Sequence, residues 1–153
     1  MSRRDSQLLF SDAQAITANA TTVVSESVVD LGAQYDHTGT ILAQFGPEGG
    51  PRLVVTIDTK PTAGTALYLE LQDCATADGT YKPTGIGIDS ANAIPIATLV
   101  AGYEIINVPL PHSLRRFLTV LYTTTGDHSA SVGTVNAGIQ MGAPTQNTAP
   151  VRV

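Results

Sequence analysis

The chain has no tryptophan and one cysteine in 153 residues, and aromatic residues make up only 5% of it. Cys74 alone cannot close an internal bridge, which excludes a disulfide-stapled scaffold. With one cysteine and no H-x-x-x-H or C-x-x-C spacing, a four-ligand zinc site lacks its ligands. Charged residues are 14% of the chain, well below the ~25% of ordinary globular domains. The net charge is −5, and the adjacent basic pairs are Arg3-Arg4 and Arg115-Arg116. Such a chain does not condense on a phosphate backbone, so nucleic acid is not expected as a partner. No run approaches the ~20 apolar residues of a membrane span, and no membrane partner is expected. Leu8-Leu9-Phe10 also falls short of the ~7–15 apolar residues of a signal peptide.

What the chain has instead is Thr, Ala, Gly, Ser and Val, arranged with a period of two. "RLVVTIDT" (52–59) sets Leu53, Val55 and Ile57 against Val54, Thr56 and Asp58. "TALYLELQDC" (65–74) turns Leu67, Leu69 and Leu71 inward and Tyr68, Glu70 and Gln72 outward. "RFLTVLYTTT" (116–125) aligns Leu118, Val120 and Tyr122; "ASVGTVNAGIQM" (130–141) aligns Val135, Ala137, Ile139 and Met141. "TTVVSESVVDLG" (21–32) and "YEIINVPL" (103–110) read as further strands. Alternation with one buried face marks antiparallel sheets.

Turn chemistry separates these runs at "GPEGGP" (46–51), "KPTAG" (60–64), "ADGT" (77–80), "PLP" (109–111) and "TGDHS" (125–129). Helical periodicity is almost absent. Pro95 interrupts 91–102, and "SDAQAITANA" (11–20) reads as a short turn or loop. The expectation is one all-β domain, an antiparallel β-sandwich of jelly-roll type, over 21–141. An N-terminal arm (1–20) and an extended C-terminal tail (142–153) flank it.

Candidates for chemistry are few. His37, His112 and His128 fall in predicted loops and read as solvated, and no G-x-S-x-G elbow accompanies the acids Asp36 and Asp127 beside two of them. Asp73, Asp78 and Asp89 lack the D-x-D-x-D spacing of a calcium loop, and Asp78-Gly79 reads as a turn. Cys74 closes an alternating strand, the place of a small buried thiol. "GPEGG" has no following Lys or helix and is not a phosphate loop. No enzymatic activity, metal or cofactor is expected. Arg115 and Arg116 enter a strand, where neighbours point to opposite faces. They suit either one internal pair with the other guanidinium facing a partner, or strand-end salt bridges.

"DSQLLFSDAQAITANATT" (5–22) followed by "VVDLGA" (28–33) resembles the N-terminus of the Bbp16-like capsid cement proteins of short-tailed bacteriophages. "ATLVAGYEI" (97–105), "PLPHSLRRFLTVLYT" (109–123) and "VGTVNAGI" (132–139) extend the resemblance in order along the chain. It implies a β-sandwich or jelly roll that binds the outside of a capsid and staples neighbouring capsomers. The implied partners are the major capsid protein and further copies of the same chain, a dimer or trimer. The implied place is the virion exterior, after synthesis in the host cytoplasm. The sequence departs from the family at 34–51 and beyond Met141, where contacts peculiar to one particle would lie.

On this reading Leu8, Leu9 and Phe10, with Arg115 and Arg116, are interface candidates. Leu8–Phe10 either packs on a neighbour or folds back over one end of its own sandwich. The rival reading is a carbohydrate-binding jelly roll, which needs Tyr35, Tyr81 and Tyr103 gathered on one face.

Overall fold

Alternation in the sequence becomes two stacked sheets in space. The computed structural model describes residues 8–16, 22–31, 51–111 and 114–141. Among these described residues ten strands follow in order: β1 (Leu9–Ala15), β2 (Thr22–Val24), β3 (Val29–Asp30), β4 (Pro51–Thr59), β5 (Ala66–Cys74), β6 (Lys82–Ile88), β7 (Ile94–Pro95), β8 (Glu104–Pro109), β9 (Phe117–Thr125) and β10 (Thr134–Met141). One sheet runs β1-β10-β4-β8; the other runs β2-β9-β5-β6, with β3 on β9 and β7 on β5. All pairings are antiparallel.

Counting β2 with β3, and β6 with β7, as interrupted strands leaves eight. The first, eighth, third and sixth then form one sheet, and the second, seventh, fourth and fifth the other. This is the strand order of a jelly roll, a β-sandwich in which successive strands cross between sheets.

The long central strands β5 and β9 pair without interruption from Ala66↔Thr125 to Cys74↔Phe117. Leu67, Leu69 and Leu71 therefore lie beside Thr124, Tyr122 and Val120 on one face. They meet Leu53, Val55, Ile57, Val135, Ala137 and Ile139 from the other sheet, and all of these are buried. The side chain of Met141, expected with them, lies outside the described set. Val54 departs from the alternation: it is on the outer face yet only 7% exposed. On β8 both Ile105 and Ile106 are buried, because the β4–β8 register shifts between Val55 and Thr56 and inserts one residue.

Pro95 separates two single 3-10 turns, Ser90–Asn92 and Ile96–Thr98, so no helix crosses 91–102. Asp89 starts the first turn by accepting from the Asn92 backbone N–H at 3.0 Å.

The expected boundary at residue 21 is corrected. Residues 9–15, read as part of an arm and, from 11 onward, as a turn, form the edge strand β1 on β10. The physical reason is its inward side: Phe10 and Ile16 are fully buried in the core, and Ser11 and Gln14 point inward with them. Residues 1–7, 17–21 and the proposed tail from 142 lie outside the described residues.

Candidate functional site

A sandwich meets partners through strand edges, sheet faces or loop ends, and each can be built from its residues. At the β1 edge, register shifts between Leu9 and Ser11 and between Ser11 and Gln14 break the ladder. Ala13 takes a positive φ of 51°, a strained conformation for a residue with a Cβ. The distortion turns Ser11 and Gln14 into the interior. Ser11 Oγ gives its proton to Gln14 Oε1 at 2.5 Å and lies 2.9 Å from the Tyr122 hydroxyl. With that single proton committed, Ser11 accepts from Tyr122.

Gln14 Oε1 also accepts from Glu26 N at 3.0 Å, and Gln14 Nε2 donates to Val24 O at 2.8 Å. Ser27 N donates to Phe10 O at 3.0 Å. These bonds stitch β1 of one sheet to the β2–β3 segment of the other, closing that side of the sandwich. Burial pushes the Tyr122 phenol well above its ordinary value, and the nearby Glu26 adds to the rise.

The other two edges are open but poor templates. Leu110 N donates to Pro51 O. Alternation then turns the backbone groups of Asn107 and Pro109 outward. Pro109 has no N–H to offer, and Asn107 O is taken by Arg52 Nη2 at 2.9 Å while Arg52 Nε holds Asn107 Oδ1 at 2.6 Å. On β6, Pro83 removes a donor and the register shifts opposite Glu70–Gln72. Gly87 lies so close to β5 that a Cβ there would stand 2.3 Å from Leu69 O. Proline, bulges and a charge laid along the edge are the devices that prevent strand addition.

The loop end formed by 60–65, 95–97 and 126–133 holds an open cleft of about 720 Å³, lined by Lys60, Pro61, Thr62, Thr65, Pro95 and Ile96 among others. His128, expected to be solvated, is 4% exposed there. Its ring covers Gly64, whose φ of +103° leaves no Cβ; one added there would stand 2.0 Å from His128 Cε1. Nε2 donates to Thr125 O at 2.7 Å, and the buried Nδ1 has no hydrogen-bond partner among the described residues.

The adjacent Asp127 does not pair with the ring. Its Oδ1 takes the Ser129 hydroxyl at 2.6 Å and backbone N–H at 3.0 Å, and these bonds hold its carboxyl below the usual range. Among the described residues no acid–histidine ion pair is assembled at this end. Asp36, His37 and His112 lie outside the described residues.

The interface candidates separate in space. Phe10 belongs to the chain's own core, which corrects the expectation of a three-residue cluster held by a neighbour. Leu8 is half-buried against that core, and Leu9 is half-buried beside Gly138 of β10, with Leu9 Cδ2 3.1 Å from where a Cβ would be. Arg115 and Arg116 turn to opposite neighbours of β9. Arg115 donates to Asp73 Oδ1 through Nη2 (2.6 Å) and Nε (2.9 Å) and to Asp73 Oδ2 through its backbone N (3.0 Å).

Arg116 grips Asp30 with Nε at 2.6 Å and Nη2 at 2.9 Å, and stacks 5.0 Å from the Phe117 ring centre. Both arginines thus form strand-end salt bridges within the chain. The hydrogen bond to Asp73 raises the Arg115 pKa.

Cys74 is buried, 3.9 Å from Thr76 Oγ1. Tyr81 donates to Ala77 O at 3.0 Å, and burial, Cys74 and Asp78 raise its pKa. Tyr103 packs on the core beside Ile57, at the other end of the sandwich. Tyr81 and Tyr103 therefore form no common platform, and Tyr35 lies outside the described residues. Among the described residues, no three His, Cys, Asp or Glu side chains stand together to hold a metal ion. Nor is any helix there long and apolar enough to cross a membrane.

Sequence reasoning missed the Ser11–Gln14–Tyr122 network and the Arg52 cap on Asn107. The one available signal was the polar composition of a segment bearing Leu8-Leu9-Phe10. In comparison with known proteins, a family model described as Bbp16 matches residues 10–139. No curated protein matches the chain.

Proposed function

Because the chain belongs to the Bbp16 family, we propose that it is a structural virion protein that binds the outer surface of a phage capsid and staples neighbouring capsomers. Its partners on this reading are the major capsid protein and further copies of itself. The observation that carries the proposal is the family match across residues 10–139, which runs from within β1 to within β10. The edges support it. A protein concentrated on a shell must meet its partners through chosen surfaces without polymerising strand to strand, and β8, β6 and β1 are each blocked against that.

A shell under internal pressure fails when subunits separate, so a protein bound across a joint adds its interface free energy to that barrier. Single contacts need only be modest, since many copies and more than one attachment per copy multiply the effect. Rigid loops suit the task because little conformational entropy is lost on docking. The 60–65 and 126–133 loops, locked by the Gly64–His128 contact, have that character.

The test is the rupture of shells assembled without this protein, followed by heating with and without the added chain. Saturable binding that raises the rupture temperature is expected. Shells that rupture at the same temperature at every concentration of added chain would overturn the reading.

A further inference from the structure

We propose that the loop end around the Lys60–Thr65 cleft is the surface that docks on the capsid. The cleft takes an apolar side chain of the major capsid protein, and a carboxylate beside that side chain meets Lys60. The inference rests on the capsid-stapling reading for the partner's identity; the place and its chemistry are argued from the side chains. β4 ends at Thr59 opposite Thr134, where β10 begins, and β5 begins at Ala66 opposite Thr125, where β9 ends. The 60–65 and 126–133 loops therefore emerge together. Gly102 N donates to Ile57 O, and Ile57 N to Tyr103 O, which brings 98–103 to the same end.

Apolar groups are left in water here. Val132 is 59% exposed and Val100 48%, two of the four large apolar side chains so exposed among the described residues. Pro95 and Ala97 are exposed at the cleft, and the buried Pro61 and Ile96 back it. Covering such a surface with a partner's apolar atoms is favourable.

Charge selects the partner. Lys60 is exposed, and no other charged residue lines the cleft among the described residues. The ion pairs among those residues are Arg115–Asp73 and Arg116–Asp30, so Lys60 is left without one. The acids near it are turned to other groups. Asp58 accepts from Thr134 Oγ1 at 3.0 Å and Asn136 Nδ2 at 3.3 Å, and Asp127 is held by Ser129. A lone cation at an apolar cleft attracts a carboxylate, and excluding water strengthens the pair. The opposite end carries both arginine pairs, whose guanidinium groups would be stripped of water on docking.

The cleft is also preformed. Thr62 N donates to Ser131 Oγ at 3.1 Å and Thr65 N to Thr125 O at 2.7 Å, tying one loop to the other. Ile96 N donates to Thr65 O at 3.0 Å and fixes the third wall. Gly133 lies so close to Pro61 that a Cβ there would stand 2.7 Å from Pro61 Cγ. The volume of about 720 Å³ falls within the roughly 300–1,000 Å³ of sites that enclose a compact ligand. A side chain with its flanking backbone fits such a space.

The experiment uses the full chain and shells assembled without it. Binding is measured by sedimentation over a concentration series, at low and high NaCl, for wild type, Lys60→Glu, Val132→Ser and Lys82→Glu. All three positions are exposed, and circular dichroism and melting confirm that each variant is folded. Lys82, opposite Asp73 at the far end, carries the same charge change away from the cleft. Lys60→Glu is expected to weaken binding roughly tenfold or more and to lessen its salt dependence. Val132→Ser should weaken it roughly threefold or more, and Lys82→Glu should leave it unchanged. Carbodiimide treatment of loaded shells, which joins an amine to a carboxylate in contact with it, should link Lys60 to the capsid protein.

The outcomes separate the two proposals. A folded Lys60→Glu or Val132→Ser variant that binds as the wild type does would overturn the docking end and leave the capsid reading standing. Equal losses from Lys60→Glu and Lys82→Glu, or a cross-link at Lys82 and none at Lys60, would do the same. A wild type that ignores shells refutes the capsid reading and this occupant with it.

Discussion

Replacing Phe10 with alanine asks whether the N-terminal apolar cluster belongs to this chain or to its neighbour. The ring is fully buried and sits in the same core cluster as Leu53, Leu69 and Val120. Phe→Ala at such a site removes the transfer free energy of the ring and leaves a cavity, together costing about 3–5 kcal/mol. β1 is an edge strand with two register shifts, so it can relax toward the void, which favours the lower half of that range. Against a typical stability of ~5–15 kcal/mol this is a large loss. For a domain of about this size it lowers the melting temperature by roughly 6–20 °C.

The assay is urea unfolding of wild type and Phe10→Ala followed by circular dichroism, with oligomeric state measured by light scattering at a temperature where both are folded. The expected result is a lower midpoint, an unchanged urea dependence and an unchanged oligomeric state. A loss below about 1 kcal/mol accompanied by loss of assembly would refute the placement and show that Phe10 docks in a neighbour.

Tyr122 makes stability sensitive to alkali. Its folded pKa is raised above the ordinary value of 10.0, so its contribution is complete below pH 10 and is lost as pH rises beyond it, by at most about 1.4 kcal/mol per pH unit; Tyr122→Phe should flatten the alkaline arm of a stability–pH curve, and an unchanged arm would contradict the buried phenol. Gly64→Ala should cost roughly 1–3 kcal/mol, from the collision with His128 and from the positive φ; adding His128→Ala should recover the steric part alone, and thermal melts that show no loss for the single variant would disprove the contact. Arg115→Ala leaves the nearly buried Asp73 carboxylate without its main partner and should cost about 2–4 kcal/mol. Asp73→Ala should cost less, because Arg115 is the more exposed member, and denaturant midpoints in the reverse order would contradict this assignment.

Much of the fold could be read from residue order because a sheet buried on one face imposes a period of two. Leu67, Leu69 and Leu71 and their partners on β9 obey that rule along nine residues, so strand, face and core follow together. β1 could not be read the same way. Its inward positions include Ser11 and Gln14, which are tolerable inside only because Tyr122, Val24 and Glu26 satisfy them. Its register shifts also erase the alternation that would have revealed it.

β6 was hidden by Pro83, Gly85 and Gly87, residues that fit an edge strand and argue against a strand locally. His128 illustrates a third limit. Its burial depends on Gly64, far away in sequence, accepting a conformation that leaves room for the ring. The arginines were legible as a pair entering a strand, but Asp73 and Asp30 lie 42 and 86 residues from them, a separation that only the completed sheet resolves.

The most direct test of the proposed role is binding itself. Purified full-length chain is mixed with shells assembled in its absence, and bound protein is counted by quantitative sedimentation as its concentration rises. The account predicts saturation at a fixed number of copies per shell, competed by unlabelled chain and retained by folded Arg116→Ala, whose salt bridge lies within its own chain. Failure of the folded wild type to pellet with shells at any concentration would contradict it.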